Sequence, residues 1–327
     1  MDRRMIVAVL ASAAVSVLGI SLAPAMAQEL PKKPITVIVG FAAGGAADAA
    51  ARIIAKKLQD ALGQPVLVDN RPGAGGNIAH QYLATSAPAD GSVILLGSVG
   101  PLTVAPHLMK VGYDAQKDLA PLTMAVRFPN VLVVHAGVGV GTLAEYIAKA
   151  KASPGSLDFA STGAGSASHL AGELLNRRAG IDVVHVPYKG GAPALQDLLG
   201  GRVASYYSTP ATAEPHIAAG KLIALATTGL ARSAFMPSVP TVAESGFPGF
   251  DATNWYAFVA PARTPGPVLE RWNRELVKAL GAADTKAELE RHGLTPEPGT
   301  REELANVIDQ EFKAWGQLIR ERKIKAE

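Results

Sequence analysis

The segment Phe41-Ala42-Ala43-Gly44-Gly45-Ala46-Ala47-Asp48 closes a β-rich run, Ile35–Phe41, and opens a helical run that ends at Leu62-Gly63. A strand, a glycine turn and a helix in that order aim backbone N–H groups at whatever sits above the strand end, and the helix start adds partial positive charge. That chemistry holds an anion. Ala42 to Ala46 would donate, and Gly44-Gly45 would let a carboxylate come close. The competing explanation is a tight turn that needs positive φ, but the small side chains at 42–47 leave more room than such a turn requires. Asp48 falls in the first helical turn, where a carboxylate stabilises the dipole; a ligand ammonium group is the other partner open to it.

A second unit follows the strand Leu157–Ser161. Thr162-Gly163-Ala164-Gly165-Ser166 leads into a helix carrying Ser168 and His169. Ser168 stands where a dinucleotide fingerprint needs its third Gly. No acidic residue follows a strand at the required distance, since Val183–Val186 ends in His185-Val-Pro-Tyr. An anion site built from N–H groups and the hydroxyls of Thr162, Ser166 and Ser168 fits better, against the alternative of a Ser-capped helix start. Tyr188-Lys189-Gly190-Gly191 precedes another helix. There Lys189 is placed to pair with a carboxylate and Tyr188 to line a cleft, although loop lysines are ordinarily solvated. Ser98 and Ser208, just after the strands Ser92–Gly97 and Val203–Tyr207, complete the candidate ligand contacts. Asn70–Gly76 and Gly137–Gly141 are glycine-rich but lack the Gly-Lys-Ser/Thr ending of a P-loop.

Catalytic patterns are sparse. There is no Gly-x-Ser-x-Gly elbow, and the seven His residues are scattered with no His-Glu-x-x-His pair. A triad assembled by the fold stays open. With 0 Cys, the chain has no disulfide, no thiolate metal site and no thiol nucleophile. No cofactor and no metal are expected.

The elements that must position these loops alternate between strand and helix along 327 residues, a length that suits two domains. Hydrophobic content of 48% supplies a core, and a net charge of +3 with only 6% aromatics gives no nucleic-acid surface. Alternation of this kind predicts α/β layers with largely parallel sheets, whose ligands sit beyond the carboxyl ends of the strands. The two loops lie about 120 residues apart, so each lobe would own one, facing a shared cleft. The late helices Pro267–Leu280, Thr285–His292 and Thr300–Lys323 must pack back on the first lobe. The chain would then cross twice, near Ala125–Asn130 and Phe250–Trp255. Lobe 1 is expected over 28–127 plus 252–327 and lobe 2 over 128–251. At the N-terminus, Arg3-Arg4, the apolar run Met5 to Ala23 and Ala25-Met26-Ala27 read as a signal peptide over 1–27, cleaved before Gln28. An uncleaved anchor is the alternative. No Cys stands near the cleavage site to carry a lipid.

Several segments together are similar to one family: the substrate-binding (Bug) proteins of tripartite tricarboxylate transporters. They are Lys33-Pro-Ile-Thr-Val-Ile-Val with Gly44-Gly45 and Asp48, Leu62-Gly-Gln-Pro-Val-Leu-Val-Asp-Asn-Arg-Pro-Gly-Ala-Gly-Gly-Asn77, Tyr113-Asp-Ala-Gln-Lys-Asp-Leu-Ala-Pro121 and Ser168-His-Leu-Ala-Gly-Glu173. They continue with His185-Val-Pro-Tyr-Lys-Gly190, Gly220-Lys-Leu-Ile-Ala-Leu-Ala226, Pro240-Thr-Val-Ala-Glu-Ser-Gly246, and Trp255-Tyr256 with Ala260-Pro261. The resemblance implies a type II periplasmic-binding-protein fold, a Venus flytrap of two α/β lobes with a cleft and two interlobe crossings. It also implies a monomeric, soluble periplasmic binder, not an enzyme, that grips a small organic carboxylate between Phe41–Asp48 and Thr162–His169. The ligand would pass to a permease of one large and one small subunit. An exported hydrolase or lyase acting on a similar acid, and a ligand sensor, are the alternatives. Where the family often has Pro before Gly44-Gly45, this chain has Ala42-Ala43. Where it often has a Phe-Asp-like pair, Tyr206-Tyr207-Ser208-Thr209 stands. An aromatic or neutral polar far end of the ligand is expected from that exchange. Micromolar capture takes about 8 kcal/mol. Four or five charge-assisted hydrogen bonds at roughly 1.5–3 kcal/mol each supply it after ordering costs if both lobes contribute.

Overall fold

The computed structural model describes residues 30–322 and Ile324; the expected signal peptide over 1–27 lies outside them. The chain first lays down β1 (Ile35–Val39), α1 (Ala46–Leu62), β2 (Val66–Asn70), α2 (Asn77–Thr85), β3 (Val93–Ser98), a short α3 (Ala105–Leu108) and β4 (Leu119–Phe128). A second series follows: β5 (Val131–His135), α4 (Leu143–Ala152), β6 (Asp158–Ser161), α5 (Ala167–Ala179), β7 (Val184–Pro187), α6 (Gly191–Leu199), β8 (Ser205–Ser208), α7 (Pro210–Ala218) and β9 (Leu222–Thr227). The last elements are β10 (Asn254–Pro261), α8 (Gly266–Gly281), α9 (Ala283–Arg291), β11 (Thr295–Pro296) and α10 (Arg301–Arg322).

The strands form a six-stranded sheet in the order β11-β4-β10-β3-β1-β2 and a five-stranded sheet in the order β7-β6-β8-β5-β9. The chain leaves the first sheet after Phe128, enters the second at Val131, leaves it after Thr227 and re-enters the first at Asn254. This corrects the expectation of largely parallel sheets. β1 pairs in parallel with β2 and β3, and β6 with β7 and β8, as βα units require. The strands at the crossings run the other way. β10 is antiparallel to both β3 and β4, and β5 is antiparallel to β8 and β9. A strand arriving from the other sheet enters from the end where its neighbour departs, so the two must oppose.

Each sheet is covered on both faces. Ile54 and Leu58 of α1 and Trp272 and Leu276 of α8 are fully buried on one face of the first sheet. Leu83 of α2 and Leu304 and Ile308 of α10 pack with Leu95 and Trp255 on the other. In the second sheet, α4 and α5 cover one face through Leu143, Tyr146 and Leu174, and α6 and α7 cover the opposite face through Ala194, Leu198 and Ala213. Thr241-Val-Ala-Glu244 forms a reciprocal capping pair. Glu244 N–H donates to Thr241 Oγ1 at 3.0 Å and Thr241 N–H to Glu244 Oε2 at 2.8 Å. It closes only a turn, because Gly246, Pro248 and Gly249 follow at once.

Candidate functional site

β1 ends at Val39, five residues before Gly44, and Gly44 takes φ +83°, a conformation that suits glycine. Helix α1 then starts on Gly45 with no side-chain cap. Its first internal bond is Ala49 N–H to Gly45 O, at 3.0 Å, so Ala46 and Ala47 precede the helical ladder. Asp48 is buried behind this loop. Its Oδ2 accepts from Gly44 N–H and from Arg52 Nε, both at 3.0 Å, and its Oδ1 accepts from Asn70 Nδ2 at 3.0 Å. Burial alone would raise the Asp48 pKa; the bonds from Arg52, Gly44 and Asn70 outweigh it and hold the carboxyl below the usual aspartate value. Asp48 therefore ties the loop from beneath and has no free face for a ligand.

The second loop is tied by hydroxyls and imidazoles. Thr162 N–H donates to Ser168 Oγ at 2.9 Å, Gly163 N–H to Ser161 Oγ at 3.0 Å and Gly165 N–H to His169 Nδ1 at 3.1 Å. Ser166 caps α5, accepting from His169 N–H at 3.3 Å. His169 stacks on His185 with ring centroids 4.0 Å apart, and His185 Nε2 lies 2.6 Å from Ser161 Oγ. Burial lowers the pKa of His169 to about 4; burial and then the neighbouring His169 lower that of His185 to about 3. Both rings are neutral at pH 7, and His169 Nδ1 is the unprotonated nitrogen because it accepts from Gly165.

The two lobes meet over these loops. Ala42 N–H donates to Lys189 O across the lobes at 2.9 Å. A Cβ on Gly190 would stand 2.8 Å from Ala42 N, one on Gly75 2.3 Å from Ala164 O, and one on Gly100 2.5 Å from Gly165 O. Glycine at these places allows backbone to touch backbone between lobes. Between them lies a chamber with about 510 Å³ free of protein atoms, its mouth included, of which about 30 Å³ admits the centre of a water-sized sphere.

The wall is built from helix starts and neutral polar groups. Gly45, Ala46 and Ala47 present the start of α1; Ser166, Ala167 and Ser168 that of α5; Gly191 that of α6; and Thr209 and Thr212 that of α7. Phe41, Ser98, Asn130, Thr162, Tyr206, Tyr207, Asn254 and Tyr256 fill the remainder. Among the described residues on this wall there is no Asp, Glu, His, Lys or Arg. Burial pushes the phenols of Tyr206, Tyr207 and Tyr256 up, so they stay neutral. The positive potential in the chamber therefore comes from backbone dipoles.

Of the expected contacts, Phe41, Gly45, Ala46, Ser98, Thr162, Ser166 and Ser168 come together on this wall. Ala42, Ala43, Gly44 and Asp48 do not reach it; Ala42 and Gly44 have spent their N–H groups on Lys189 O and Asp48. Gly163, Ala164 and Gly165 serve the contact between lobes, and His169 lies behind the loop. Tyr188 donates to Asp197 at 2.8 Å on its own lobe, Lys189 is exposed, and Ser208 is buried with its hydroxyl on Thr209 O at 3.1 Å. Ala47, Asn130, Ala167, Gly191, Tyr206, Tyr207, Thr209, Thr212, Asn254 and Tyr256 also line the wall, outside the expected set. Gly191 belongs to a strand-glycine-helix unit after β7 like the first two, whereas Thr212 follows β8 through Thr209-Pro210 with no glycine to mark the turn. Asn130 is a lone polar residue between Pro129 and Val131 at the first crossing, and Asn254 follows Asp251 and Thr253 at the second.

A two-lobed α/β protein with a cleft lined by helix starts is a solute-binding protein of the periplasmic-binding-protein fold. The chain belongs to the tripartite tricarboxylate transporter family of receptors, whose family model matches residues 50–324. It is 40% identical over 301 residues to Protein BugT of Bordetella pertussis, covering 91% of this chain and 92% of that one. Among solved structures it is similar to R. palustris Rpa4515 with adipate, at 32% identity and TM-score 0.86, covering 91% of this chain and 99% of that one. It is also similar to MatC from Rhodopseudomonas palustris with bound malate, at 31% identity and TM-score 0.84, covering 88% and 99%. No helix among the described residues is long and apolar enough to cross a membrane.

Proposed function

We propose that the protein captures a small organic carboxylate in the chamber between its lobes and delivers it to a membrane permease with one large and one small subunit. It works as an exported periplasmic monomer, without a lipid anchor, after loss of residues 1–27. The lobes divide near 28–127 plus 252–327 and 128–251. The observation that carries the reading is the convergence of four helix starts on a wall with no charged side chain. Such a wall attracts an anion, yet gives it no permanent ion pair that would slow release. The adipate and malate bound in the relatives support a carboxylate as the ligand.

Binding without turnover fits the same wall. Proton transfer near neutrality needs a His, a carboxylate or a similar group within reach, and His169 is turned away with its Nδ1 on the loop. The test is thermal unfolding of residues 28–327 against a panel of carboxylates, after partial unfolding and refolding to remove carried-over ligand. A rise in Tm with one acid is expected, since ligand at 100 times its Kd adds about 2.7 kcal/mol. That acid should be recovered unchanged. Its conversion to a product would put an exported hydrolase or lyase in place of the binder.

A further inference from the structure

Part of the chamber wall comes from the interlobe crossings themselves. Asn130 lies in the link between β4 and β5, and Asn254 begins β10, in register with Phe128. Asn254 and Tyr256, two apart on one strand, share a face, and Ser98 is the cross-strand partner of Tyr256. All three polar residues are more than nine-tenths buried, with Asn130 2%, Ser98 4% and Asn254 8% exposed.

Their hydrogen bonding is incomplete. Asn254 Nδ2 reaches Asn130 Oδ1 only at 3.5 Å, the far limit of such a bond. Asn130 Nδ2, Asn254 Oδ1 and Ser98 Oγ have no partner within the protein. Turning both amides over exchanges which residue supplies the donor and which the acceptor; turning one alone sets like atoms face to face. In every workable arrangement one NH2 and one C=O remain to be satisfied, beside a hydroxyl that plays either role. Buried polar groups in this state are rare and oppose folding unless something pairs with them.

We infer that this part of the chamber reads a hydroxyl and that the ligand is a small hydroxycarboxylate. The inference rests on the carboxylate reading above. The ligand's carboxylate takes the N–H groups of the helix starts. Its hydroxyl donates to the free amide oxygen and accepts from the free amide NH2. A second carboxylate offers acceptors only and would face an amide oxygen with negative charge; an ammonium offers donors only, on a wall without an acidic residue to match it. A hydroxyl satisfies both asparagines through one atom, which suits so small a chamber.

Calorimetric titration of the mature chain, stripped as above, with three pairs of acids tests this: malate and succinate, 3-hydroxybutyrate and butyrate, lactate and propionate. In each pair that binds, the hydroxy acid should be tighter by about tenfold or more, because its parent leaves buried partners unpaired. In Asn254→Leu and Asn130→Leu the ratio within a pair should fall below about threefold, a comparison that any general loss of folding leaves intact. Parent acids that bind wild type as tightly as their hydroxy forms would overturn the inference and leave the carboxylate reading standing. No binding by any of the six would overturn that reading for acids of this size, and this inference with it.

Discussion

The loop over residues 41–48 and the loop over residues 161–169 reach the same chamber by different means. The first caps its helix with a bare glycine and is held by one buried charge, Asp48, locked to Arg52 and Asn70. The second caps its helix with Ser166 and is held by hydroxyls backed by two neutral imidazoles. Each loop is then pressed by a glycine of the opposite lobe, Gly190 on Ala42 and Gly100 on Gly165. In both loops some N–H groups hold the backbone itself, Gly44 on Asp48 in the first and Thr162, Gly163 and Gly165 on side chains in the second. The loop must spend some N–H groups on holding its shape so that the rest stay aimed at the chamber.

The largest effect is expected at the contact between lobes. Gly100→Val puts a Cβ 2.5 Å from Gly165 O and 2.9 Å from Ser166 Cα. It should block closure over the second loop and weaken carboxylate binding by about 100-fold, roughly 2.7 kcal/mol, with Tm in the absence of ligand little changed. Calorimetry beside thermal unfolding separates the two effects; unchanged affinity would mean that capture does not need this contact. Next comes Asp48→Ala, which frees Gly44 N–H, Arg52 and Asn70 together and should cost about 2 kcal/mol or more in denaturant unfolding. Because the folded Asp48 pKa lies below 3.8, its stabilising share is complete above that value and fades as pH falls through the folded pKa.

The second loop should respond to pH in a higher window. His169 and His185 titrate near 4 and 3 in the folded chain against 6.5 unfolded. The unfolded state therefore binds more protons between those values, and stability falls as pH drops from 6.5 towards 4. Wild-type Tm should decline over that range. The double variant His169→Gln with His185→Gln should start lower at pH 7 and decline less; a parallel decline would assign the acid sensitivity to other groups, the buried His80 first among them. The smallest effect is expected for Ser166→Ala, which removes the α5 cap for about 1 kcal/mol.

The two anion loops were legible because glycines, small residues and a following helical period lie side by side in the chain. Which N–H groups stay free was not, because their acceptors are remote: Ala42 is claimed by Lys189 O, far along the chain and on the other lobe. The antiparallel strands were hidden for a like reason, since direction depends on where a returning strand enters. Within β4, Pro121 is a residue whose type reads as a strand breaker. In the fold, Pro121 pairs with Val259 of β10 on one side, while its carbonyl accepts from Arg301 at 3.0 Å, a place where a missing N–H is tolerated. Asn130 and Asn254 lie 124 positions apart, so nothing local marks them as a pair.

The most direct measurement is a crystal structure of residues 28–327 with the acid that raises Tm most. One carboxylate is expected within about 2.7–3.2 Å of N–H groups at both the start of α1, at Ala46 or Ala47, and the start of α5, at Ala167 or Ser168, directly or through a single water. A carboxylate held by one lobe alone, or paired with Lys189 outside the chamber, would contradict this expectation.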